Sequence, residues 1–161
     1  LATRTKYPVT QGSRVLRAAN VNFIPHLYDY EERGGTEVAA RELGLDEHAT
    51  IKTLIMEDEN KNPLIVLMHG DREVSTKELA RVIGVKTVKP CAPEVANKHS
   101  GYLVGGTSPF GTRRKMPVYM EATILELPKI YINGGKRGFL VEVDPQDLIK
   151  LLEPVLVRVG I

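Results

Sequence analysis

Two rhythms of apolar residues run along this chain, one of helical period and one of period two. Val15, Leu16 and Ala19 fall at helical spacing within residues 10–19, and Asn20 closes that segment. Residues 23–28 read as a strand, and Pro25 assigns it to an edge or a bulge. Gly34-Gly35 is a turn, Thr36 caps a helix through Leu43, and Gly44 ends it. Residues 51–56 and 63–68 are strands separated by the polar turn 58–62, which predicts a hairpin. Ser75 or Thr76 opens a short helix with Leu79, Ala80 and Ile83 inward, stopped by Gly84. A short strand over 85–88 and a short helix over 93–99 follow. Residues 118–120, 129–132 and 139–143 read as strands, and Asp144-Pro145 opens a last helix with Leu148, Leu151 and Leu152 on its face.

Helices and strands interleave irregularly, and several strand pairs are linked by hairpins rather than crossover helices. That pattern predicts an α+β domain, a mixed and largely antiparallel sheet with helices packed outside, over a doubly wound parallel sheet. The 161 residues suit one domain over 1–161, with 1–6 a flexible tail; no internal repeat or linker breaks the chain.

Charge changes this picture little. Lys and Arg number 22 against 20 Asp and Glu, so no global basic field announces nucleic acid, and an RNA site must be a local patch. A lone cysteine, Cys91, suits a reducing cytoplasm. The first residues lack the apolar stretch of a secretory signal, and the longest apolar run, 64–68, is too short to cross a bilayer. A cytoplasmic protein with no membrane partner and no DNA partner is expected.

Familiar catalytic machinery is missing. Residues 106–111 have the wrong spacing for a nucleophile elbow, and 134–138 lack the residues of a Walker loop. His26, His48, His69 and His99 show no metal-ligand spacing, so neither a metal nor another cofactor is expected. What remains is chemistry easy enough for positioned water, lysine and backbone dipoles. Lys52 alternates onto the face of Leu54 and Met56, an apolar face where a charge either snorkels out or serves a purpose. The loop 101–111, with Gly101, Gly105, Gly106 and Gly111 stiffened by Pro109, can bring backbone amides close to a ligand; it also suits an ordinary surface loop. Asn133-Gly134-Gly135-Lys136-Arg137-Gly138 is a turn that supplies either solvated cations or a pocket wall with phosphate contacts. Arg113, Arg114 and Lys115 form a second basic cluster, and Tyr28 is a pocket cap or a half-buried core tyrosine.

Three segments, Ile51-Lys-Thr-Leu54, 101–111 and 130–138, in this order and spacing, resemble the YbaK-type aminoacyl-tRNA deacylases, relatives of the editing insertion in bacterial prolyl-tRNA synthetases. The likeness runs from the helix before Phe23 to the final helix. It implies that family's fold, a sheet partly rolled into a barrel, and trans-editing of mischarged tRNA without a metal or a covalent protein nucleophile. On this resemblance Lys52 and Gly105 are catalytic. Tyr28, Thr53, Gly101, Gly106, Pro109, Asn133, Gly134 and Gly135 bind the substrate, and Arg113, Arg114, Lys136 and Arg137 meet tRNA phosphates. The partner is the aminoacyl-tRNA acceptor end, with prolyl-tRNA synthetase or another synthetase a further candidate. Either water attacks the ester or, with cysteine as substrate, a substrate group does so in a lyase-type route.

This chain departs from the cysteine-specific members at Gly34, where they carry an aromatic, at Asn133, where they carry serine, and at Phe139-Leu140, where they carry an acid. An amide at 133 predicts that Ser- or Thr-charged tRNA competes with Cys-tRNA(Pro), with alanine another candidate. The rival reading is a non-catalytic tRNA- or nucleotide-binding module associated with a synthetase.

Overall fold

Thr10 and Ser13 exchange hydrogen bonds across the start of the first helix, each hydroxyl accepting from the other's backbone N–H at 2.9 Å. This box starts α1 (Gln11–Ala18), whose Leu16 is fully buried. The computed structural model describes residues 6–161, so the tail expected over 1–6 lies, apart from Lys6, outside the described residues. Beyond α1 come β1 (Ile24–Leu27), α2 (Gly35–Leu43), β2 (Thr50–Asp58), β3 (Pro63–His69), α3 (Thr76–Ile83), β4 (Val88–Pro90) and α4 (Pro93–Ser100). Then follow β5 (Val118–Glu121), β6 (Ile130–Lys136), β7 (Phe139–Val143), α5 (Pro145–Leu152) and β8 (Val155–Val157).

The eight strands form one mixed sheet in the order β1-β7-β6-β2-β3-β5-β8, with β4 attached to β2. Pairs β1–β7, β2–β3, β2–β4 and β6–β7 are antiparallel; β2–β6, β3–β5 and β5–β8 are parallel. Among the described residues no pairing joins β1 to β8, so the sheet does not close into a complete barrel. The α+β expectation holds, with Pro25 on an end strand where its missing N–H costs no ladder bond.

Period two sorts the sheet's side chains into two cores. Ile51, Ile55, Ile65 and Leu67 pack with Leu16, Phe110, Phe139 and Leu148 on one face. Met56, Val66 and Met68 pack with Leu79 and Ala80 of α3 on the other. Each large apolar side chain so buried contributes about 1.5–3 kcal/mol. β3 is buried along its whole length because both faces are covered.

Local predictions fail where tertiary partners decide. The short strand expected over 85–88 lies at Val88–Pro90, because the N–H groups of Lys86 and Thr87 are taken by the Glu59 carboxylate. Thr36 does not cap α2; its hydroxyl donates to Gly70 O, and the N-cap is Gly34, two residues earlier. β6 runs past Ile132 to Lys136 by way of a bulge, beyond its expected end.

Most consequential for a site is the way β2 changes partner along one edge. It pairs with β6 at Thr50–Ile51 and with β4 at Met56–Asp58, leaving the edge between them without a strand.

Candidate active site

The bulge of β6 is organised by one side chain. Asn133 Oδ1 accepts from Gly135 N at 2.7 Å and Lys136 N at 3.1 Å, and Nδ2 donates to Lys136 O at 3.2 Å and Gly105 O at 3.3 Å. Both donors and both lone-pair directions of the amide are thereby used within the protein. Gly135 takes φ +112° there, with the Tyr102 ring and Thr10 packed against it, which leaves no room for a side chain. Thr10 also donates its hydroxyl to Gly134 O, tying α1 to the same bulge.

The loop 101–111 is fastened to this hairpin at several points. Arg137 Nε donates to Val104 O at 3.0 Å, and its guanidinium lies 5.0 Å from the centroid of the Tyr30 ring. A Cβ on Gly106 would lie 2.5 Å from Arg137 N, and one on Gly105 would lie 2.5 Å from the Tyr30 hydroxyl. Asn97 Oδ1 accepts from Val104 N at 2.9 Å, and Tyr102 donates its hydroxyl to Phe110 O, closing the loop on itself. Pro109 and Phe110 are buried beneath it, and Ser108 is fully buried with its hydroxyl turned to Phe110 N. Among the described residues the N–H groups of Gly105 and Thr107 meet no protein acceptor, and Thr107 is buried.

Lys52 and Asn133 are the first residues beyond the Ile51–Ile132 pairing, on the two strands where they part. Lys52 Nζ donates to Arg72 O at 2.8 Å and to the Glu73 carboxylate at 3.2 Å, which leaves one of its three donors unused. Beside it, on the opposite face of β2, Thr53 carries a buried hydroxyl with no partner among the described residues. A buried orphan hydroxyl costs about 1–3 kcal/mol unless a ligand or water meets it. Here it sits on the edge that neither β6 nor β4 covers.

The structure therefore brings Gly105, Gly106, Asn133, Gly134, Gly135 and Arg137 into direct contact, and sets Lys52 and Thr53 on the strand next to them. It does not bring all four predicted phosphate cations together. Arg137 is engaged on Tyr30 and Val104, Lys136 is exposed at the hairpin end, and Arg113 and Arg114 line a separate cleft, with Arg113 packed against Gly101. Tyr28 packs beside Ala39, Ala49, Tyr131 and Leu140, its N–H donating to Gly138 O at 2.9 Å; burial, and then neighbouring Tyr30, raise its pKa. The residue nearer the loop is Tyr30, which the sequence reading missed. Its only signal was an aromatic repeating two positions after Tyr28.

A second polar cluster escaped sequence spacing altogether. His48 and His69 stack with centroids 3.8 Å apart at 6°, and His48 Nδ1 lies 2.8 Å from the Asp71 carboxylate. Their donor atoms lie within 4.8 Å of one another, close enough to suggest a cation. The ring geometry opposes it: lone pairs lie in the ring planes, and stacked parallel rings cannot aim them at one point. Fully buried His69 instead donates from Nδ1 to His48 O and accepts the Thr123 hydroxyl at Nε2, each at 2.7 Å. Burial first, and then the proximity of His48, lower its pKa below 6.5. The unfolded chain then takes up a proton at higher pH than the folded one, so stability falls as pH drops through 6.5. Calorimetry between pH 7 and 5 should show Tm falling, with a flatter slope in His69→Gln; an equal slope in that variant would clear His69 of the effect.

Cys91 faces the opposite fate to a nucleophile. Burial, with the Glu57 carboxylate next in weight, pushes its thiol up to about 11. At pH 8 roughly one thiol in a thousand is thiolate, so iodoacetamide should label it far more slowly than free cysteine. Rapid labelling at that pH would contradict the buried setting.

Residues 31–151 match the family model described as an aminoacyl-tRNA editing domain. An Enterococcus faecalis protein, EbsC, provisionally named a Cys-tRNA(Pro)/Cys-tRNA(Cys) deacylase, is 26% identical over 150 residues, covering 91% of this chain and 92% of its own. A proline–tRNA ligase of Thermodesulfovibrio yellowstonii is 36% identical over 97 residues, 60% of this chain but 16% of the ligase. Among solved structures, one provisionally described as a trans-editing enzyme for prolyl-tRNA synthetase superposes with a TM-score of 0.81 at 19% identity, covering 96% of this chain and 99% of that one. At that identity the likeness speaks for the fold alone.

Proposed function

We propose that this chain, which belongs to the aminoacyl-tRNA editing domain family, hydrolyses the ester of mischarged tRNA in trans. The observation that carries the reading is the clamp between the glycine loop and the hairpin, Asn133 to Gly105 and Arg137 to Val104, beside an unpaired buried hydroxyl at Thr53. Such a clamp holds backbone donors still, which is what an ester carbonyl needs as it gains negative charge. In this reading Gly105 and Thr107 N–H hold the carbonyl oxygen, Lys52 supplies positive charge, and Thr53 orients the attacking water. Water adds to the carbonyl carbon, the ester C–O bond breaks, and the ribose hydroxyl leaves with a proton. The arrangement needs no protein nucleophile, in keeping with a buried Ser108 and an un-ionised Cys91.

Substrate choice takes a different course from the one the amide at 133 suggested. Its hydrogen-bonding capacity is committed to the bulge and to Gly105, so it has none to spare for a serine or threonine hydroxyl. Asn133 acts on this account as a positioning residue, and the enzyme accepts tRNA charged with small residues, cysteine, serine, threonine and alanine alike. The decisive experiment is a panel of these four charged tRNAs, scored for released amino acid, with the parent and Asn133→Ala. The parent should hydrolyse several of them, and the variant should lose about 10- to 100-fold on all. A loss confined to serine and threonine would restore a direct contact, and no hydrolysis of any of them by the parent would leave a binding module.

A further inference from the structure

An open cleft of about 530 Å³ lies at the foot of the glycine loop, lined by Glu57, Lys61, Val95, Lys98, His99, Arg113 and Arg114. Its shape follows from the backbone. Arg113 N donates to Ser100 O at 2.9 Å and Arg114 N to His99 O at 3.0 Å, so the segment leaving the glycine loop is laced to the end of α4. That lacing sets Arg113 and Arg114 alongside Lys98 and His99 in the helix's last turn. Glu57 on the wall is buried and lies 3.9 Å from Lys61 Nζ, so one carboxylate is matched by one lysine. Among the described residues Lys98, Arg113 and Arg114 form no ion pair, which leaves three uncompensated cations on one cleft in a chain whose net charge is only +2.

We infer that this cleft binds RNA backbone phosphates, carrying the acceptor stem away from the glycine loop. The inference takes its choice of polyanion from the deacylase reading, but its test does not depend on turnover. Two observations favour an extended polyanion over a small anion seated in the floor. The cleft faces the C-terminal, carbonyl end of α4, and it contains Glu57; both repel a small anion bound deep inside. The cations reach outward from exposed positions, where they meet successive phosphates along a strand. Continuity supports the same path: Arg113 Cβ lies 3.2 Å from where a Cβ on Gly101 would stand, so a wall residue of the cleft touches the first residue of the loop. Lys61, Lys98 and His99 come from segments far from Arg113 in sequence, which is why the basic run 113–115 alone understated the site.

The test is binding of uncharged, fluorescently labelled tRNA, read by anisotropy over a range of NaCl concentrations. Lys98→Gln/Arg114→Gln removes two cleft charges; Lys77→Gln/Lys150→Gln removes two charges on α3 and α5. For the cleft pair the slope of log K against log salt should fall by about 1.4–1.8 and affinity by tenfold or more, while the control pair keeps the parent slope. An unchanged slope in the cleft pair, or an equal change in both pairs, overturns the inference. Hydrolysis of a charged CCA trinucleotide by the parent is scored separately. If the parent leaves that ester and charged tRNA intact while the cleft pair alone loses its slope, the deacylase reading falls and the RNA cleft stands.

Discussion

Lys52→Ala is expected to melt close to the parent and yet to lose about 2–4 kcal/mol of transition-state stabilisation, roughly 30- to 900-fold in deacylation. The small effect on folding follows from the surroundings of the ammonium. Its ion-pair partner Glu73 is 82% exposed, and pairs of that kind add at most about 1 kcal/mol to stability. The large effect on turnover follows from position. Lys52 begins the stretch of β2 edge that no strand covers, opposite the residue that holds Gly105. Its side chain is only 19% exposed, and two of its three hydrogens are spent on Arg72 O and Glu73, so the third is held in a fixed direction. Glu73→Gln removes the ion pair but keeps the backbone tether, and should cost a few-fold at most. A folded Lys52→Ala protein that deacylates at the parent rate would remove Lys52 from the chemistry altogether.

How much of this was legible beforehand depends on where each decision is made. Many stops and hairpins are local, and the sequence announced them: Ser75 before α3, Gly44 after α2 and the polar turn after β2 occur where their chemistry predicts, whereas the Thr36 cap is lost because its hydroxyl goes to Gly70 O. The parallel pairings of β2 with β6 and β3 with β5 join segments distant in sequence, and no periodicity encodes which strand lies beside which. β8, only three residues long with Val155 and Leu156 exposed, owes its existence to β5 and carries no pattern of its own. The site shows the same division. That 101–111 and 133–138 are special was written in their glycines, but that the amide of Asn133 faces inward was not. A side chain's partners are fixed by the bulge it organises, and the bulge is invisible until β6 is paired with β7. His48, His69 and Asp71 meet for an equivalent reason: they stand in the turn just before β2, at the end of β3 and in the turn after it, adjacent only once the hairpin closes.

Gly106→Ala should be as damaging to activity as the loss of Lys52, and much more damaging to the fold. The single methyl would stand 2.5 Å from Arg137 N and 2.8 Å from Lys136 C. Both are backbone atoms of a hairpin held by Asn133, so neither can swing aside as the end of a flexible side chain would. Gly106 cannot retreat freely either, because its own N–H donates to Leu103 O at 2.8 Å within the loop. Either the loop lifts from the hairpin, stretching the Asn133–Gly105 and Arg137–Val104 hydrogen bonds, or the bulge distorts. Overpacking of this kind costs about 1–3 kcal/mol of stability. A displacement of the order of an ångström in the catalytic loop costs about a hundredfold in rate. Gly84→Ala is the informative contrast. Gly84 ends α3 and has φ +85°, but a Cβ there meets nothing within 4 Å, so that variant should lose about 1 kcal/mol and keep its rate. Thermal melts and kcat/KM on one charged tRNA, measured for both variants, separate strain from clamping. If Gly106→Ala loses stability but deacylates like Gly84→Ala, the contact between loop and hairpin is scaffolding, and the ester must be held by other groups.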